Sequence, residues 1–463
     1  MINLSPWIAQ MKFRRLSQTL SADLNTEIAI IGGGIAGIST AYFILKNTTK
    51  SVILLEGDKI AHGATGHNAG QVTSYFERHF VELVEEFGLE KVAEGQADIE
   101  SAWLLLQEII AEANLSLPFY QFTGYAGFST LDQLMFRLEE EALREKSGLP
   151  NHEFLVVNDP LILLRIPDEF CRYYKVAHQS DILDLLETTD QSYIAVKASR
   201  KGCLNSALFC EQLIEWIEKK YKDRFQIFEQ TPVTRVNLGI AHSRAETAQG
   251  TVTSEFVVLC TNGFENIEIK NEIGVDINGR FHEKIEGTIG YMTGYLSKEN
   301  RPPTAISYFE PEHVSRLDPY VYMTRRPRED LKGKEKIIAQ NLTCLGGPEI
   351  MLEDKATYDR HLHTYLPEAL DITTRFLKKT FRESNQEIDY DFTWHGLMGY
   401  TKNGVRLIGF EPCNKNLLYN LGCNGIGILP SIYGGLRISQ LVAGETLPLS
   451  MFDVQDQRCM IPD

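Results

Sequence analysis
The chain has 463 residues, of which 43% are hydrophobic and 23% charged, and a formal net charge of -16. This is a globular composition, not a disordered or fibrous one, and the length exceeds what a single core fills, so two cooperating domains are expected. The acidic balance repels phosphate backbones, so nucleic-acid binding is not expected unless one local basic patch serves it. The eight cysteines form no C-x-x-C pair, which disfavours zinc and iron–sulfur sites and reads as unpaired thiols in an intracellular protein. Residues Met1 to Leu24 are mixed and polar, with Arg14-Arg15 among them and no apolar core of a signal peptide. No segment approaches the ~20 apolar residues that span a bilayer, so a cytoplasmic location without a membrane span is expected.

The first strong signal runs from Glu27 to Glu56. EIAIIGGG opens with a short apolar run of the kind a buried parallel strand shows. Gly32, Gly34 and Gly37 then make a G-x-G-x-x-G set. In such a set the first glycine permits a sharp turn, the second lets the backbone approach a pyrophosphate, and the third lets helix and strand pack closely. ISTAYFILK follows as the helix; its first N–H groups, those of Ile35 and Ala36 included, favour a diphosphate. SVILLE gives a second apolar strand ending in Glu56, followed by Gly57. A carboxylate there accepts hydrogen bonds from ribose hydroxyls and repels a 2′-phosphate, which disfavours NADP. Strand, turn, helix, strand and acid in that order make the motif specific where the glycines alone would be weak.

Small residues follow at once: Gly63, Ala64, Thr65, Gly66, His67, Asn68, Ala69, Gly70 and Gln71. Such a stretch lets main chain approach a bulky ligand and donate N–H groups to it; by itself it could equally be a plain loop. Residues 81–112 carry apolar residues at helical spacing with acids between. FTGYAGFST and a charged helix occupy Phe122 to Lys146, and QTPVTRV, containing Val233, precedes a strand and turn, VVLCTNGF, that holds Thr261, Asn262 and Gly263. Between Ile285 and Leu345, short aromatic and β-branched runs separated by Pro and Gly have the pattern of an antiparallel sheet. WHGLMGYTKNGVRLIG and NLGCNGIGILPSIYGGL close the series at 394–409 and 420–436.

In that order, GGGIAG, LLEGDKIAHGATGHNAGQ and the later segments resemble the D-amino-acid-oxidase/glycine-oxidase superfamily of FAD enzymes. The N-terminal arm from Ser5-Pro6-Trp7 to Asp23 resembles its γ-glutamylputrescine-oxidase-like branch. The resemblance implies an α/β (α+β) fold: a Rossmann-like FAD-binding domain with a discontinuous substrate domain built on a mainly antiparallel sheet. The FAD-binding domain would take 24–80, 195–270 and 391–450, the substrate domain 81–194 and 271–390, with an arm at 1–23 and a tail at 451–463. It implies oxidation of the C–N bond of an amine or amino acid by hydride transfer to flavin N5. The imine is then hydrolysed, and electrons leave to O2 or another acceptor. Beside the glycine-rich elements already named, Gly422, Asn424, Gly425, Ile426 and Gly427 would hold the flavin. A helix start with Pro430 in its first turn stabilises negative charge on a reduced ring.

The substrate side is less determined. Tyr320 and Tyr322 alternate onto one face of a predicted strand, with Arg325 and Arg326 after them; the family's sheet faces the flavin there, but a packed tyrosine pair and a structural ion pair fit as well. His395 could bond the ring or the substrate, or be structural. Met398 stands where D-amino acid oxidases place a carboxylate-binding arginine, which argues against a simple D-amino acid. Cys344 or a neighbour stands in the region of a lysine that activates O2 in sarcosine oxidases, which keeps a dehydrogenase open. His67 replaces the arginine of most relatives, as in dehydrogenases whose histidine bonds the flavin covalently; a covalent link and a simple hydrogen bond both remain open. No metal site is expected, since His361 and His363 are two apart and share no helix face. Two further readings stand beside amine oxidation: an FAD-binding protein with a non-catalytic role, and an enzyme of tRNA modification, against which the charge speaks.

Overall fold
The computed structural model describes residues 3–11, 15–263, 267–278, 285–297, 301–311, 320–328, 340–352, 358–380, 389–455 and 459. Met1, Arg14, Phe264 and most of the expected 451–463 tail beyond 455 lie outside them.

Three sheets organise the chain. Ile28–Ile31, every residue of which is buried, pairs in parallel with Val52–Leu55 on one side and Phe256–Leu259 on the other. Phe225–Phe228 extends this sheet at one edge and Asn414–Leu421 at the other, both in parallel. Leu407–Glu411 closes it as the one antiparallel strand. Strands buried on both faces need helices on both, which is why these runs are continuously apolar. The helix Ile35–Asn47 is buried at every position through Leu45 and packs against Ile428–Val442. A Cβ at Gly435 would lie 2.8 Å from the backbone of Ser39, so this glycine sets how near the two helices come.

A second sheet of five short strands runs Leu24–Asn25, Thr251–Ser254, Ser243–Thr247, Val233–Leu238 and Glu268–Asn271. The third is large and mainly antiparallel. Its path is Phe392–Thr401, Ile285–Ser297, Asn341–Met351, Val321–Pro327, Thr304–Phe309, Phe119–Phe128, Ala195–Leu204, Glu153–Val157 and Tyr174–Ala177, and Gln71–Val72 pairs with Ala195–Leu204. Only the Thr304/Phe119 and Glu153/Tyr174 neighbours run parallel. The fold class is thus the expected one, a Rossmann-like parallel sheet beside a mainly antiparallel sheet.

Two strands near the expected boundaries pair within the large sheet. Ala195–Leu204 pairs along its whole length with Phe119–Phe128, and Phe392–Thr401 pairs with Ile285–Ser297. Both strands therefore belong to the large sheet, not to the parallel one. The helical stretch at 81–112 is two helices, Phe80–Phe87 and Leu89–Glu112, divided at Gly88 with φ +83. Leu131–Lys146 starts at a Thr130/Gln133 capping box, which satisfies two of its free N–H groups.

The unpaired-thiol reading also changes. Cys413 and Cys459 form a disulfide across 46 residues, with Cα atoms 5.1 Å apart, while six cysteines are free. Scattered spacing gave no sign of this pair, and it removes the thiol argument for a reducing compartment. Among the described residues, no helix is long and apolar enough to cross a membrane.

Candidate active site
One cavity of about 1000 Å³ lies between the parallel sheet and the large sheet. Its nucleotide side is built by the first strand–turn–helix. Gly32 has φ +111, and a Cβ there would sit 2.6 Å from the Cys260 carbonyl oxygen. Gly34 is the N-cap of Ile35–Asn47, with extended backbone and no side-chain cap. The first N–H groups are thereby left for a ligand, apart from Ile35, which donates to Thr65 Oγ1 at 3.0 Å. Glu56 ends the next strand and is held in place: Gly33 N–H donates to its Oε2 at 2.6 Å and Asp58 N–H to its Oε1 at 2.8 Å.

The glycine-rich loop after it is supported from below by the N-terminal arm. Trp7 is fully buried, donates from Nε1 to Asn68 O at 2.6 Å, and fills the space where Gly70 would carry a Cβ. Asn68 ties the loop to Ser206 at 3.0 Å and takes the Gly70 N–H at 2.8 Å. Arg326 stacks over the Trp7 ring at 4.5 Å and donates to Gln10 at 3.0 Å. Its place is thus beneath the loop, and this is the packing that the arm's Trp7 serves.

A second helix start enters the same cavity. Gly427 caps Ile428–Val442 without a side-chain hydrogen bond. The preceding turn is pinned by Asn424, which has φ +46 and accepts from Thr401 N–H at 2.7 Å and Oγ1 at 3.1 Å. Asn262 accepts the Cys423 N–H at 3.1 Å. Arg406, buried under this turn, donates to the Asn420 side chain at 2.7 Å and to the carbonyls of Asn420 and Gly422. Burial pulls its guanidinium down to about 10.

All but four of the residues expected to hold the cofactor line this cavity. The exceptions are backbone devices. Gly37 permits helix–strand contact, since its Cβ would meet Gly32 O at 1.9 Å; Gly70 packs on Trp7, Gly263 on Ile285 and Gly422 on Thr401. Two uncapped helix starts, a close-approach glycine turn and an anchored acid facing one cavity fit a dinucleotide with a ring system. His67 also lines it. Its Nδ1 lies 3.0 Å from Gly63 O, which places the proton on that nitrogen, and burial lowers its pKa, so the ring is neutral with Nε2 unprotonated.

The large sheet supplies the other end. Tyr320 and Tyr322 line the cavity, their rings 5.7 Å apart. Tyr320 OH donates to Glu77 Oε1 at 3.0 Å, and Tyr322 OH donates to Met292 Sδ at 3.3 Å. Tyr400, Glu77, Glu349 and Met398 complete the wall. Burial, opposed by the Tyr320 hydrogen bond, pushes Glu77 up to about 7. Burial, reinforced by the Glu77 charge, pushes Glu349 up to about 8. Sequence reasoning passed over Glu77, Glu349, Tyr400 and Arg406. Only Glu349 left a trace, a charge inside the apolar strand LTCLGGPEIM.

Two expected catalytic residues lie outside the cavity wall. Arg325 is buried away from the cavity, where its two terminal nitrogens grip Glu187 at 2.6 Å each, so it is a structural ion pair. His395 is 1% exposed and does not line the cavity. Its Nδ1 faces Tyr358 OH at 3.0 Å and its Nε2 donates to His363 O at 3.1 Å. Burial lowers it to about 4, so it is a neutral packing residue. Cys344 is likewise buried and absent from the wall.

Comparisons with known proteins agree with this geometry. The family model described as "DAO: FAD dependent oxidoreductase" matches residues 27–441. The fold is similar to that of glycine oxidase from Geobacillus kaustophilus, with a TM-score of 0.65 and 14% identity over 93% of this chain and 99% of that one. The sequence is 25% identical over 257 residues to the probable oxidoreductase OrdL of Haemophilus influenzae, covering 52% of this chain and 50% of the relative. It is 48% identical over 50 residues to human mitochondrial dimethylglycine dehydrogenase, covering 11% of this chain and 6% of the relative. The chain spans half or less of the length of these curated relatives. With most of its length matched and both uncapped helix starts facing the cavity, the chain belongs to the DAO family of FAD-dependent oxidoreductases.

Proposed function
We propose that this protein oxidises the C–N bond of a small amine at the tyrosine end of the cavity. The observation that carries the reading is that Glu77, Tyr320, Tyr322 and Tyr400 share one cavity with both helix starts. No arginine is aimed at that end among the described residues. Arg78 is tied to Glu82 and Glu86, Arg360 to Asp58, and Arg406 to Asn420. A carboxylate substrate would find no arginine there, whereas an amine would find a base. We also propose that the parallel sheet and its helices form the FAD-binding domain and the large sheet the substrate domain, changing between them near 204 and 401.

FAD, when bound, supplies the two-electron acceptor. Gly34, Thr65 and the first turn of Ile35–Asn47 would hold its diphosphate, Glu56 its ribose, and the Gly422–Gly427 turn its ring. Glu77 takes the ammonium proton of the incoming substrate, because a group held near 7 accepts a proton at neutral pH. Tyr320 donates to Glu77 and fixes its orientation. Met292, Tyr322 and Met398 close the wall against water. Electrons leave to O2 or to a second acceptor, and oxygen uptake measured beside dye reduction tells which. Glu77→Gln is expected to lower kcat/KM for the amine by about 100-fold, in the range of a lost general base, with aldehyde product as the readout and FAD content unchanged. A variant of full activity would contradict this role.

His67 is proposed as a covalent tether to the cofactor. Its neutral ring, which lines the cavity, is a competent nucleophile, and the local similarity to a dimethylglycine dehydrogenase supports the reading. After acid precipitation the yellow colour is expected in the pellet for the wild type and in the supernatant for His67→Ala. Wild-type colour in the supernatant would reduce His67 to a contact.

A further inference from the structure
Glu349 has no place in the proton chemistry above. It lies on Asn341–Met351 opposite Gly290 of Ile285–Ser297, and Gly290 in turn lies opposite Gly396 of Phe392–Thr401. All three line the cavity. The two glycines in register are covered by other residues: the terminal methyl of Met398 lies 2.9 Å from where a Cβ at Gly290 would sit, and the His67 carbonyl oxygen 2.7 Å from one at Gly396. No hydrogen bond or ion pair reaches Glu349 from any described residue, and the one charge acting on it is the like charge of Glu77. Its own charge is felt by Tyr322 and Tyr400, so two aromatic rings stand near it. A half-buried carboxylate without a partner among the described residues is free to take one. One placed beside two tyrosines, in a cavity that a substrate enters, is a receptor for a cation, since carboxylate and ring faces both attract one.

Resting on the amine reading, we infer that the substrate carries a second positive charge: it is a diamine or longer polyamine whose distal ammonium sits between Glu349, Tyr322 and Tyr400 while its other nitrogen is delivered to Glu77. The two carboxylates then have separate tasks. Glu77, which Tyr320 orients, takes a proton from the end that reacts. Glu349 releases its proton to solvent as the distal ammonium binds, and holds the end that does not react. A distal carboxylate cannot draw that proton off and lacks the ammonium contact, which gives the cavity selectivity against ω-amino acids.

The test uses the FAD-loaded protein with its flavin already reduced by dithionite and kept without oxygen, so that no amine can be oxidised, and three matched ligand series: α,ω-diaminoalkanes, n-alkylamines and ω-aminoalkanoates of equal chain length. Binding is read by calorimetry and by the flavin difference spectrum, independently of turnover. The best diamine is expected to bind at least about tenfold more tightly than its monoamine, the gain of one ammonium–carboxylate–aromatic contact, with the ω-aminoalkanoate weakest. Glu349→Gln should abolish the diamine advantage and leave monoamine affinity unchanged. Because Glu349 has no partner to lose, this variant is expected to fold, and its flavin colour checks that it does. Equal affinities across the series, tighter binding of the ω-aminoalkanoate, an unchanged preference in Glu349→Gln, or no measurable binding of any diamine would each overturn the inference. Failure of the parent reading looks different: diamines bind with the expected preference, yet no amine bleaches the oxidised flavin.

Discussion

Gly37→Ala protein is expected to emerge colourless from an FAD-equilibrated preparation. An ideal Cβ at this position would lie 1.9 Å from the Gly32 carbonyl oxygen and 3.3 Å from Ile30 Cγ2. The nearer atom is backbone, so no side chain can swing aside. The helix Ile35–Asn47 must move off the strand Ile28–Ile31 by more than 1 Å, and its first N–H groups leave the cavity with it. A shift of that size costs a positioned site about 100-fold, and overpacking costs the fold about 1–3 kcal/mol. The ratio of visible to ultraviolet absorbance after dialysis, with a thermal unfolding curve, measures both. A yellow variant with wild-type stoichiometry would show that this turn does not position the cofactor.

The second large effect is a loss of stability with rising pH that Glu349→Gln does not share. Glu349 ordinarily titrates at 4.5 but is raised to about 8 by burial and by Glu77. Below the unfolded value both states are protonated and the carboxyl costs nothing. As pH rises toward the folded value the unfolded chain releases a proton that the folded one retains, so stability falls; the loss is complete above about 8. With one unit equal to about 1.4 kcal/mol, and water in the cavity screening part of the shift, the Gln variant should gain roughly 2 kcal/mol over the wild type near pH 9 and almost nothing near pH 5. Glu77 acts in the same direction, opposed in part by its Tyr320 hydrogen bond and by the Arg137 and Lys201 charges. Urea denaturation of holoprotein at the two ends of this range checks the sign. A variant less stable at high pH would mean that Glu349 has a partner.

The glycine-turn side of the cavity was legible in the sequence because its requirements are local. A sharp turn at Gly32, a close approach at Gly34 and an acid at the end of the next strand are each imposed on a residue by its immediate neighbours. The substrate half is set by register between strands far apart in sequence. Glu349, Gly290 and Gly396 meet only because three strands align, and no spacing in the chain announces it. Alternation alone would have removed Arg325, which has the opposite parity to Tyr320 and Tyr322 and points to Glu187. Arg326 has the tyrosines' parity but is claimed by Trp7 of the arm, a contact across more than three hundred residues. His395 follows Trp394 in the segment whose resemblance pointed to the flavin, yet parity puts it on the face opposite the cavity-lining Gly396, with Tyr291, the ring centroids 6.1 Å apart.

The central claim is amine oxidation, and the visible spectrum of the FAD-loaded protein in the absence of oxygen tests it most directly. Addition of an α,ω-diaminoalkane is expected to bleach the flavin band, to release one aldehyde per flavin reduced, and to be reversed when an electron acceptor is admitted. A band that every amine leaves unchanged, while dithionite still bleaches it, would contradict the claim and leave an FAD-binding protein of this family with another substrate.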